Sequence, residues 1–127
     1  MDQAVSRAVE TARTSRGAGH PISAEAVRAV FLSGGDGARV TALGFMQGDP
    51  STADLDIVLE VISQSRSAAE QAYALAVAAE IARRPDLDDH TAKQLLEAAE
   101  DALATEHVRK SHKRRDLAES IVRQLRP

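Results

Sequence analysis

The chain has 127 residues, 43% hydrophobic and 28% charged, with a formal net charge of −3 and no Cys. That size is one ordinary domain, and the missing Cys excludes a disulfide framework, a thiolate nucleophile and a cysteine metal site. The acidic balance argues against a dedicated nucleic-acid binder, and an aromatic content of 2% leaves an aliphatic core that suits close-packed helices better than a sheet.

The first ten residues, MDQAVSRAVE, place an acid at position 2 and contain no apolar run, so they do not read as a signal peptide. No uncharged stretch reaches transmembrane length. The expectation is a single, soluble, cytoplasmic, all-helical domain over residues 1–127, with no membrane contact and no cofactor.

In chain order, Val5, Ala8, Val9 and Ala12 share one face of a helix over Asp2 to Arg13, ended by Gly17, Gly19 and His20-Pro21. Ser23 caps the next helix, with Ile22 and Val27 spaced as a hydrophobic staple and Ala24, Val27, Val30 and Phe31 facing the core. Gly34 and Gly35 stop that helix, and Asp36 caps a short one running to about Gln47 with Val40, Leu43 and Met46 buried. Gly48-Asp49-Pro50 is the following turn. Ser51 and Asp54 have capping-box spacing ahead of Leu55, Val58, Leu59 and Ile62, and Ser63 to Ser65 forms a polar break.

The stretch Ser67 to Arg84 is apolar on two neighbouring sides: Ala68, Ala72, Leu75, Ala79 and Ala82 on one, Ala69, Tyr73, Val77 and Ile81 on the other. A helix apolar over so much of its circumference is central, and its alanines let neighbours approach closely. Ser67 with Glu70 opens it as a capping box, and Pro85 cannot continue it. Asp88-Asp89 then opens a helix with Ala92, Leu95, Leu96, Ala99 and Leu103 as its stripe, the acids matching the positive end of the dipole. No Gly or Pro falls between Asp86 and Arg126. A break near Thr105 to His107 is preferred to one long helix, and Leu117, Ile121, Val122 and Leu125 form the last buried face.

Three segments, Ser23 to Gly48, Ala53 to Arg84 and Asp88 to Leu125, repeat a helix, a polar break and a second helix with a period of roughly 30 to 40 residues. Gly35 to Pro50, GDGARVTALGFMQGDP, resembles the second helix of a HEAT-like repeat, with Arg39, Ala42, Leu43, Gly44, Met46, Gly48, Asp49 and Pro50 near the family pattern. Ala68 to Leu75 is a weaker echo. The resemblance implies about six to seven antiparallel helices stacked as hairpins in an α-solenoid, and a protein that binds other macromolecules.

Catalytic and metal constellations do not stand out. Ser33-Gly34-Gly35-Asp36-Gly37 lacks the P-loop lysine, and Asp36 would repel a phosphate. His20, His90, His107 and His112 are scattered, and the serines sit where helix caps are needed. The local departure is Arg109, Lys110, Lys113, Arg114 and Arg115, with His112 between them: either these cations pair with Glu100, Asp101, Glu106 or Asp116 and are otherwise solvated, or they are a partner-binding cluster for an acidic protein or for phosphates. The composite expectation is a non-enzymatic protein–protein interaction or scaffold module, able to self-associate, with nucleic-acid binding through residues 109–115 as the alternative.

Overall fold

A computed structural model describes residues 2–19 and 22–126, with side chains from Val5 onward. Among these residues the chain forms eight α-helices and no strand: α1 (Asp2–Gly17), α2 (Ala24–Leu32), α3 (Asp36–Gly48), α4 (Leu55–Gln64), α5 (Ala68–Ala82), α6 (Asp89–Leu103), α7 (Glu106–Lys110) and α8 (His112–Leu125). The all-helical expectation holds. The count exceeds six to seven because the final segment divides twice, near Thr105 and at Ser111, whose hydroxyl takes the cap position of α8. Contacts group the chain into two compact units, Met1–Leu55 and Asp56–Pro127.

In the first unit α3 is flanked by α1 and α2. The approach of α1 depends on two glycines one turn apart. A Cβ on Gly44 would stand 2.9 Å from the Ala8 Cβ, and one on Gly48 would stand 2.8 Å from the Ala12 Cβ and overlap the Val9 carbonyl oxygen. Ala8 and Ala12 are themselves one turn apart, so two small-residue ridges interlock and bring the backbones together. Val40, Leu43 and Met46 are buried as their spacing predicts.

Ser23 caps α2 by accepting the Ala26 N–H at 3.1 Å, and Gly34, at φ +93°, turns the chain out of it. Ala24 is exposed, contrary to expectation, so the buried stripe of α2 narrows to Val27 and Phe31. Gly35, not Asp36, holds the cap position of α3. The helix α1 runs on to Gly17, four residues past Arg13, because no breaker precedes it. The expected His20-Pro21 stop lies outside the described residues.

The Ser51/Asp54 capping box does not form. Pro50 to Thr52 makes a 3-10 turn whose cap is Asp49, and Asp49 Oδ1 accepts from both the Ser51 N–H (3.2 Å) and its hydroxyl (2.6 Å). Asp54 pairs with Arg28. A nearer carboxylate therefore captures Ser51.

In the second unit α8 is flanked by α5 and α6. The helix α5 is buried nearly all round: Ala72, Ala74, Leu75, Val77, Ala78, Ala79, Ile81 and Ala82 are all in the core. Ser67 accepts the Glu70 N–H at 3.1 Å, and Glu70 Oε1 accepts the Arg66 N–H at 3.1 Å, so the reciprocal cap is realised one residue upstream of the ideal. Ala68 is exposed, while Glu70 and Gln71 take buried positions that the apolar pattern assigned to neither. At the start of α6 the Asp88 carboxylate accepts the Thr91 N–H at 2.7 Å. That bond holds its pKa below the ordinary carboxylate value.

Candidate functional site

The five cations proposed from sequence lie on α7 and the first turn of α8, and intramolecular bonds occupy most of them. Arg114 is half-buried. Its Nη1 donates to Gln71 Oε1 on α5 at 2.7 Å, and its Nη2 donates to the His107 carbonyl at 3.1 Å. Lys110 Nζ pairs with Glu106 at 2.8 Å, one turn back on α7. Arg115 lies 3.7 Å from Glu119 and 3.9 Å from Asp116, and its Nη1 also donates to the Arg109 carbonyl at 3.4 Å. The Lys113 ammonium stands 5.9 Å from the centroid of the Tyr73 ring. Arg109 is exposed, and its guanidinium makes no ion pair or hydrogen bond among the described residues.

The cluster at the start of α8 opposes the helix dipole, since the first turn carries no acid. Its compensation is internal. Arg114 reaches across to α5, and Arg115 turns back onto acids of its own helix. The cluster thus serves largely to fasten α7 and α8 to the unit, leaving Arg109 and Lys113 as the cations most open to a partner.

A groove missed by the sequence reading lies within the second unit. It has a volume of about 400 Å³ and is walled by α4, the start of α5, α6 and the start of α7. Leu59, Ile62, Ala98 and Ala102 supply aliphatic floor, while Gln94, Glu97, Asp101 and His107 stand along its edge. Helix formation places these residues together. Gln94, Ala98 and Ala102 recur at intervals of four, as do Glu97 and Asp101, so α6 turns one continuous strip toward the groove. Gln71 fixes the inner end, its Nε2 donating to the Ile62 carbonyl at 2.8 Å. The hydrophobic stripe of α6 predicts Leu95 and Ala99 for the core, and both are buried.

Compared with family models, curated proteins and solved structures, the chain matches none. The site must therefore be read from its own geometry. Among the described residues no three His, Cys, Asp or Glu side chains gather as a metal site, and no helix is long and apolar enough to cross a membrane. His90, His107 and His112 are each exposed, and Ser33 to Gly37 is the junction between α2 and α3.

Proposed function

We propose that the chain is a non-enzymatic protein–protein interaction module of HEAT-like helical hairpins, whose working surface is the groove of the second unit. The groove carries this reading: a concave strip of ligand-site dimensions, with an aliphatic floor and a polar edge, formed by rigid helices rather than loops. The packing supports it as well. Helices that are not neighbours in the chain lie against one another in each unit, α3 against α1 and α8 against α5, and such layered helix contacts favour the stacked-hairpin reading.

The test is capture of protein partners by the immobilised chain from cells that express it, beside an Ala98→Phe variant whose helix content is verified by circular dichroism. Proteins held by the native chain and lost by the variant are the expected result. Retention of the same proteins by both would contradict the groove as the working surface.

The alternative, phosphate contact through α7 and α8, draws on exposed Arg109 and Lys113 beside an acid-free helix start. It predicts duplex binding that declines steeply with salt and is lost on Arg109→Ala with Lys113→Ala. Binding untouched by that pair of substitutions would exclude it.

A further inference from the structure

Six carboxylates lie between Glu97 and Glu119, and four have a cation of the chain against them. Glu100 pairs with Arg126, Glu106 with Lys110, Asp116 with both His112 and Arg115, and Glu119 with Arg115. The other two, Glu97 and Asp101, make no ion pair or side-chain hydrogen bond among the described residues, and these two are the carboxylates that line the groove. They stand one turn apart on α6, where like charges repel. Asp56 and Glu60 on α4 are likewise without a cation among the described residues, but Glu97 and Asp101 stand where the aliphatic floor of the groove begins.

From this juxtaposition we infer that the groove takes an amphipathic helical segment of a partner protein, with Lys or Arg on successive turns beside an aliphatic stripe. The cations would meet Glu97 and Asp101, and the stripe would cover Leu59, Ile62, Ala98 and Ala102. The lining runs along α6 from Gln94 to Ala102, roughly 12 Å of helix axis, which accommodates about two turns of a docked helix. Charge complementarity selects the sign, and the apolar floor selects an amphipathic segment over a merely basic one. The inference rests on the interaction-module reading and adds the chemistry of the partner.

The test uses the full chain and three labelled 14-residue helical peptides: one with Leu on one face and Lys on the other, one with the same Leu pattern and Glu for Lys, and one with the Lys pattern and Ser for Leu. Binding is followed by fluorescence anisotropy at low and high salt, with Glu97→Gln/Asp101→Asn as the test variant and Asp56→Asn/Glu60→Gln, equal in charge change, as the control. The Leu/Lys peptide is expected to bind best, and to lose about tenfold in affinity on the test variant and less than twofold on the control. No binding by that peptide, equal losses on the two variants, or equal binding by the Glu peptide overturns the inference. The two levels separate: a natural partner that needs Ala98 but binds Glu97→Gln/Asp101→Asn unchanged removes the cationic segment and leaves the module, whereas capture indifferent to Ala98→Phe removes the groove itself.

Discussion

Arg114 and Gln71 join two helices that lie far apart in the chain. The Arg114 guanidinium donates to Gln71 Oε1 at 2.7 Å, and the Gln71 amide in turn donates to the Ile62 carbonyl at 2.8 Å, so α8, α5 and the end of α4 are connected through one buried side chain. Gln71 is 4% exposed, and its oxygen has no ready replacement donor from water. A charged donor to a buried neutral acceptor is a structural contact, and it removes Arg114 from the pool of cations open to a ligand.

Arg114→Ala is therefore expected to destabilise the protein by about 1–3 kcal/mol, since it strands the Gln71 oxygen. Lys110→Ala, which breaks an exposed one-turn pair, should cost within about 0.5 kcal/mol. Urea denaturation of both variants at low and high salt checks the contrast. Equal losses would return Arg114 to the surface cluster.

The interlock of α1 and α3 makes the glycines unequal. Gly48→Ala should destabilise by about 1–3 kcal/mol despite the better helix propensity of alanine, because the new methyl meets backbone. Gly37→Ala, in the first turn of the same helix with nothing within 4 Å of a Cβ, should be neutral or stabilising by up to about 1 kcal/mol. Thermal denaturation of the two variants tests the sign difference.

The burial of α5 separates its alanines in the same way. Ala74 and Ala78 are fully buried whereas Ala68 is exposed. Ala78→Leu should cost about 1–3 kcal/mol by overpacking, and Ala68→Leu should fall within about 0.5 kcal/mol. Comparable small effects at both positions would mean that α5 is not enclosed.

The cap of α6 gives a pH dependence with a definite sign. The Thr91 N–H lowers the folded-state pKa of Asp88, so its charge contributes stability above the unfolded carboxylate range, near about pH 4, and that contribution fades as pH falls through the depressed folded value. Asp88→Asn keeps an acceptor and loses the charge. Its stability deficit against the native chain should be present at neutral pH and vanish in acid; a deficit that grows on acidification would reverse the sign.

Local sequence signals located most of the helices. Ser23 and Ser67 each accept a backbone N–H at the helix start they were expected to cap, and Asp88, expected at the start of α6 for its charge, accepts one there as well. The signals failed where long-range contacts decide between equivalent local options. Ser51 has the spacing of a capping box, yet its N–H and hydroxyl both go to Asp49. Ser111 divides α7 from α8 with no Gly or Pro nearby, and the buried Val108 and the reach of Arg114 to α5 are contacts that no window of the sequence contains. The cluster at 109–115 was conspicuous as composition, but the bonds that occupy it belong to the fold. Conversely, no local signal sets Glu97 and Asp101 apart from other acids one turn apart, because part of the floor beside them comes from α4.

Hydrogen exchange of the full chain, alone and with a captured partner, most directly tests whether the groove is the binding surface. Protection concentrated in peptides covering 59–63 and 94–102 is predicted, with little change over 109–115. Protection confined to 109–115, or none on either side of the groove, would contradict it.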